Sequence, residues 1–313
     1  MSIAYVFPGQ GAQIIGMGQA LADAYPQAKA VFDEVDDALG EKLSALVWEG
    51  DIETLTLTEN AQPALMATSL AAFKALESEG FGISNAAYVA GHSLGEYSAL
   101  AAAKSITIGD TARLLRIRGQ AMQTATPVGE GAMAAILGLD FDTVAKIAQE
   151  AAMGEVCQLA NENDPAQMVV SGNSGAVGRA VEMAKEAGAK RALMLPVSAP
   201  FHCTLMMPAA ARMAEALSHV DILEPKVPLV SNVLASGVTN PALIRSLLVD
   251  QVTGRVRWRT SVQWMARHGI TEIWEIGAGK ALSGMIRRID KDLVTRNFGT
   301  PADIAAAKAD RGE

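Results

Sequence analysis

Apolar and polar positions along this chain follow two rhythms, and the change between them marks its organisation. Ile3 to Phe7 is a short apolar run closed by Pro8-Gly9-Gln10-Gly11, as expected of a buried strand ending in a turn. From Gly18 to Lys74 the apolar residues fall at three-to-four spacing, as Ala30, Val31, Val35 and Leu39 do, which predicts mostly helix. Glu59-Asn60-Ala61-Gln62-Pro63 interrupts that region and predicts a new helix beginning at Pro63 and ending before Gly80-Phe81-Gly82. Tyr88 to Ala90 is a second strand-like run, Glu96 onward is a helix former, and Thr107 to Thr124 predicts a further helix.

Between Gly129 and Pro196 the elements shorten. Strands are predicted over Ala132–Leu137, Val156–Asn161, Gln167–Ser171 and Arg191–Val197, and helices over Phe141–Ala152 and Gly175–Ala187. A polar turn at Asn161-Glu162-Asn163-Asp164-Pro165 separates the middle strands. This strand–helix–strand–strand–helix–strand order is that of a ferredoxin-like unit. Beyond an irregular link at Ser198–Cys203, the pattern predicts a helix from Met206 to Ser218 and a strand over Val227–Asn232. A helix over Pro241–Val249 precedes a polar turn holding Gln251, and Val262–Arg267 is helical. The last predicted strand is Ile270–Ile276, followed by a helix over Ala281–Ile289 and an Ala- and charge-rich tail after Pro301 expected to be mobile.

The corner between the second strand and its helix is Gly91-His92-Ser93-Leu94-Gly95. A G-x-S-x-G sequence at a strand-to-helix corner is a nucleophile elbow: the glycines let strand and helix approach, and the serine hydroxyl stands clear at the helix N-terminus. There the unpaired N–H groups and the helix dipole favour developing negative charge. The fold expected is therefore α/β: a large α/β-hydrolase-like body with a parallel sheet (residues 1–128 and 198–313) and an inserted ferredoxin-like subdomain (residues 129–197).

Composition narrows the setting. Half of the 313 residues are apolar and 19% are charged, as in a globular chain, and the net charge of −8 argues against nucleic-acid binding through the overall field. Cys157 and Cys203 form no metal or disulfide spacing, the N-terminus carries no signal-like pattern, and no membrane-length apolar run occurs. A cytoplasmic, monomeric protein without a metal is the expectation. Two nucleotide motifs fail on inspection. Gly9-x-Gly11 lacks its third glycine, with Ile14 in its place, and Gly277-Ala278-Gly279-Lys280 is misspaced for a P-loop, with Ala281 where Ser or Thr is required.

A serine hydroxyl needs a base within hydrogen-bond reach. Of four histidines, His92 diverges from its neighbour Ser93 at the corner, and His219 and His268 sit at helix ends. His202, in a Pro-containing loop, is the favoured base. No acid is singled out, because Asp110, Asp140, Asp142 and Asp164 all occupy helix starts or turns; a dyad and a triad stay equally open. Arg113, Arg116 and Arg118 are spaced along one helix, ordinarily a solvated face, and Arg118 is the one set apart from it on the grounds given next.

Taken together, Phe7-Pro8-Gly9-Gln10-Gly11, Glu59–Pro63, Gly91–Glu96, Arg118-Gly119-Gln120-Ala121-Met122, Ser198-Ala199-Pro200-Phe201-His202 and Glu275–Lys280 resemble, over essentially the whole length, the bacterial malonyl-CoA:acyl carrier protein transacylases. The resemblance implies Ser93 as acylated nucleophile, His202 as base, and Gln251 orienting that histidine through its main-chain carbonyl. It also implies an oxyanion hole from the N–H groups of Gln10 and Leu94, and Arg118 gripping the malonyl carboxylate, with His92, Gln62 and Met122 lining the acyl pocket. Phe201 stands where many free-standing members carry a small residue and malonyl-selective polyketide domains carry Phe, which bears on substrate choice. Malonyl-CoA and holo acyl carrier protein are the implied partners, and no cofactor is implied because the CoA thioester is a substrate. An acidic carrier meeting an acidic enzyme needs a local basic patch, for which Lys190, Arg191, Arg287 and Arg288 are candidates. Three alternatives stand beside this: a polyketide or malonate-decarboxylase malonyltransferase, a serine esterase, and a carrier-docking module with a dead site.

Overall fold

The computed structural model describes residues 2–197 and 199–310; Ser198, where the body was expected to resume, lies outside them. Its strands are β1 (Ile3–Phe7), β2 (Ala86–Gly91), β3 (Gly131–Leu137), β4 (Cys157–Asp164), β5 (Gln167–Asn173), β6 (Arg191–Met194), β7 (Leu229–Val230), β8 (Gly237–Val238), β9 (Glu272–Ile276) and β10 (Val294–Phe298). They form a six-stranded sheet in the order β10-β9-β1-β2-β7-β8 and a four-stranded sheet in the order β4-β5-β3-β6. The larger sheet is parallel except for the β7–β8 edge pair, and the smaller is antiparallel throughout. Numbered by their own succession, the four strands of the smaller sheet run 2-3-1-4, with a helix following the first and the third. That is the ferredoxin-like arrangement expected from the pattern.

β1 reads as an unbroken apolar run because both faces of its sheet are covered. Tyr5 and Phe7 enter one core with the helices that precede the elbow, while Ala4 and Val6 enter another with Trp258, Val262 and Ile286. β1 and β2 lie side by side in register, so the loops leaving their carboxyl ends, Pro8–Gly11 and His92–Leu94, open at the same edge. In a parallel sheet that edge is where ligands are met.

Five local expectations are corrected. The helix expected to begin at Pro63 runs from Thr58 to Ser78 with Pro63 inside it. Proline cannot donate to the carbonyl four residues back, Glu59 O. That acceptor is taken instead by Arg116 Nη1 at 2.8 Å, so Arg116 mends the broken ladder rather than facing solvent. Asn161 to Asp164 form the end of β4 instead of a turn; the pairing there has two register shifts, and all four residues are buried. Gln251 sits in the last turn of the helix Pro241–Thr253, not in a polar turn. A further strand, β10, follows the one expected to be last, pairing with β9 through a run only partly buried and therefore weakly patterned. The tail is the helix Pro301–Ala309, started by a capping box between Thr300 and Asp303. Among the described residues no helix is long and apolar enough to cross a membrane.

Candidate active site

The elbow depends on two glycines. A Cβ on Gly91 would lie 1.9 Å from the backbone of Gly95, and one on Gly95 would lie 2.2 Å from Phe7 O. Strand and helix therefore touch backbone to backbone, and the residue between them must turn sharply. Ser93 does so at φ 53°, a left-handed conformation unfavourable for a side-chain-bearing residue. Asn232, just beyond β7, braces the corner: its Oδ1 accepts from Ser93 N at 2.8 Å and its Nδ2 donates to Gly91 O at 2.6 Å.

Ser93 Oγ lies 2.8 Å from His202 Nε2, and His202 Nδ1 lies 2.8 Å from Gln251 O. A carbonyl only accepts, so the proton sits on Nδ1 and the lone pair of Nε2 faces the hydroxyl. No carboxylate takes the third place. Asp110 and Asp140 each take part in a helix start, and Asp164 pairs with Arg288 at 2.6 Å. Gln251 O is free for this task because it lies in the last turn of its helix, where carbonyls lack intrahelical donors. Burial, and then the neighbouring Arg118 charge, push His202 down to about 3, so the imidazole is neutral at ordinary pH.

Arg118 is 1% exposed and forms no ion pair among the described residues. Two amide oxygens hold it instead: Nη1 donates to Gln62 Oε1 at 2.7 Å and Nη2 to Gln251 Oε1 at 2.8 Å. Nη2 also reaches Ser93 Oγ at 3.2 Å, and Nε has no partner among the described residues. A buried guanidinium satisfied only by neutral acceptors is a strong site for a carboxylate. Gln62 is fixed in turn by Thr58 Oγ1 at 3.0 Å and lies 3.7 Å from Met122 Sδ, while Thr58 Oγ1 donates to Gln10 Oε1 at 3.0 Å. His92 turns away from Ser93, and its Nε2 meets Asn163 Oδ1 of β4 at 2.9 Å.

Gln10, Gln62, His92, Ser93, Leu94, Arg118, Met122, Phe201 and His202 thus line one cleft of about 420 Å³, while Gln251 stands behind it. The backbone N–H groups of Gln10 and Leu94 carry no hydrogen bond among the described residues. A groove of about 490 Å³ beside Cys157 and Arg255 is larger but has no base next to a nucleophile, and burial pushes the Cys157 thiol up to about 11. The smaller cleft is therefore the candidate active site. Motif spacing gave no role to Glu96, which closes the Gly91–Glu96 motif, and did not reveal Asn163 or Asn232. Glu96 reads as an ordinary first-turn acid, and the two asparagines matter only through partners far along the chain.

A strained serine, an imidazole held by a carbonyl and a buried arginine beside them form an arrangement suited to acyl transfer. Residues 4–278 match the model of the acyl transferase domain. The chain is 46% identical to the malonyl CoA-acyl carrier protein transacylase of Bacillus subtilis, covering 97% of this chain and 96% of that one. It superposes with a TM-score of 0.97 on the acyl-carrier-protein S-malonyltransferase of Bartonella henselae, 52% identical, over 100% of both chains. A malonyl-transacylase solved with its type II polyketide acyl-carrier protein superposes at a TM-score of 0.96 with 40% identity, covering 99% of this chain and 100% of that one. The chain belongs to the acyltransferase family of the malonyl-CoA:acyl carrier protein transacylases.

Proposed function

We propose that this enzyme moves a malonyl group from malonyl-CoA to the phosphopantetheine thiol of an acyl carrier protein, through an ester on Ser93. The observation that carries the reading is Arg118, buried beside Ser93 Oγ with no carboxylate in contact among the described residues. A simple acyl chain has nothing to pair with it, whereas the free carboxylate of a malonyl thioester does.

In the first half-reaction Ser93 Oγ attacks the thioester carbonyl while its proton passes to His202 Nε2. Negative charge gathers on the carbonyl oxygen, which the N–H groups of Gln10 and Leu94 receive. The C–S bond breaks, and CoA leaves as the thiol with the proton from His202. In the second, the carrier's thiol gives its proton to His202 and attacks the ester, and the bond to Ser93 Oγ breaks with return of that proton. Gln251 O and the C-terminal end of its helix support the transient imidazolium. His92 and Met122 shape the acyl pocket, and Phe201 closes it against longer or branched groups. The CoA thioester is substrate, so the reaction calls on no resident cofactor.

The carrier is proposed to dock on a basic surface including Lys190, Arg191, Arg287 and Arg288. Of these, Arg288 is already shared with Asp164, so Lys190 and Arg191, both exposed, contribute more. We take residues 129–197 as the inserted unit and the rest as the body, acting as a monomer in the cytoplasm in fatty-acid synthesis. The polyketide alternative keeps one observation in its favour, the likeness to a transacylase that serves a type II polyketide carrier.

Intact-protein mass measurement after brief exposure to malonyl-CoA tests the reading. A malonyl adduct is expected on the wild type, absent in Ser93→Ala, and discharged by holo carrier protein. An adduct that decays to free malonate and ignores the carrier would make the enzyme a hydrolase.

A further inference from the structure

Glu96 follows the elbow directly, in the first turn of the helix Gly95–Ala102, and is fully buried. An acid there would ordinarily be read as a partner of the helix dipole. Its contacts say otherwise. Oε2 accepts from Gln251 Nε2 at 2.5 Å and Oε1 from Asn232 N at 3.3 Å, both groups outside its own helix. Like Arg118, it has no ion pair among the described residues. The two buried charges face each other across one carboxamide, for Gln251 Oε1 accepts from Arg118 and Gln251 Nε2 donates to Glu96 and to Ser93 O at 2.9 Å.

A carboxamide can be turned by half a revolution with little change of shape, but here only one orientation is satisfied. The guanidinium only donates and an ionised carboxylate only accepts, so the oxygen must face Arg118 and the nitrogen Glu96. The main-chain carbonyl of the same residue holds His202 Nδ1. We propose that Glu96 is a positioning residue of this site. Its carboxylate fixes the Gln251 side chain, and through Gln251 it holds Arg118 and His202 in register with Ser93. This rests on the acyl-transfer reading above.

The proposal has a signature in pH. The titratable and charged groups around the network are Arg118, Tyr97, His92 and His202. Burial raises Glu96 to about 7, whereas His202 is held near 3. Loss of activity as pH falls through about 7 then reports protonation of Glu96, although such a limb is conventionally given to the histidine.

The test measures formation of the malonyl-Ser93 adduct by rapid quench across pH 6 to 9 for the wild type, Glu96→Gln and Glu96→Asp. Glu96→Gln is expected to lower kcat/KM at pH 8 by roughly tenfold or more, as for loss of a hydrogen bond to a charged group. Its profile should be flat through pH 7. Glu96→Asp keeps the charge and should keep the inflection at a reduced rate, which also decides the matter if the glutamine variant does not fold. Wild-type kcat/KM at pH 8 with the inflection intact in Glu96→Gln, or no inflection in Glu96→Asp, overturns the proposal. A wild type that forms no adduct overturns instead the reading it rests on.

Discussion

The hydroxyl of Ser93 and the imidazole of His202 meet at 2.8 Å, and both residues hold the left-handed backbone region, at φ 53° and 59°. The contact between hydroxyl and imidazole is thus held by two strained turns from separate parts of the chain. A left-handed residue with a side chain costs about 1–2 kcal/mol, part of which Gly recovers. Ser93→Gly is therefore expected to be more stable than Ser93→Ala by roughly 0.5–1 kcal/mol, once glycine's larger unfolded-state entropy is set against the relief. Neither variant should form an adduct. Urea unfolding of the pair measures the strain, and equal stabilities would mean that the corner holds none.

Arg118 separates binding from reactivity. Arg118→Ala should cut acylation by malonyl-CoA by about 2–3 kcal/mol, roughly 30- to 150-fold, the worth of hydrogen bonds to a charged carboxylate. Acylation by acetyl-CoA, which has no carboxylate, should fall far less. Arg118→Lys restores the charge but cannot span Gln62 Oε1 and Gln251 Oε1 at once, so it should recover only a small part. Competition between malonyl- and acetyl-CoA, read by intact mass, gives the ratio. A ratio unchanged in Arg118→Ala would remove Arg118 from substrate recognition.

Gly91 tests the elbow itself. Ala in its place would drive a methyl to 1.9 Å from the Gly95 carbonyl, an atom of backbone that no rotamer change can move. The expected cost is at least about 3 kcal/mol, beyond ordinary overpacking. Gly188→Ala makes a useful control: its left-handed φ of 87° also disfavours Ala, but its Cβ would meet nothing. It should cost only about 1 kcal/mol. Thermal unfolding that ranked the two alike would show that the elbow can open.

What the chain made legible follows from where the information lies. β1, β2 and the elbow are local patterns of apolar runs and glycines, and local patterns survive reading from sequence alone. The ferredoxin-like order was legible for the same reason. Pro63 misled because its unmet acceptor is filled by Arg116, from a different helix. Gln251, between Asp250 and the Thr253-Gly254 pair, reads locally as part of a polar turn, yet its place in a helix end is what frees its carbonyl. Glu96 and Gln251 are 155 residues apart, and no spacing rule connects them. Ser93, His202, Arg118 and even Gln251 are reached through motifs, whereas the contacts that Glu96, Asn163 and Asn232 make with distant partners exist only in the folded chain.

Two buried groups of the site, His202 and Glu96, give stability a pH dependence with opposing parts. His202 binds no proton in the folded chain until about pH 3, but the unfolded chain takes one below 6.5. Its contribution to stability is therefore lost as pH falls from 6.5 towards 3. Glu96 runs the other way, because the folded chain holds its proton up to about 7 and the unfolded chain only to 4.5. Its contribution is lost as pH rises through that window. Each slope is at most about 1.4 kcal/mol per pH unit, so the wild type should be nearly flat between pH 5 and 6 where the two oppose. Urea unfolding of Glu96→Gln should show an advantage over the wild type that grows from pH 5 to 7 and then levels, while His202→Asn should gain on the wild type as pH falls below 6. Differences that stay constant over both windows would mean that neither group is held away from its ordinary titration by burial.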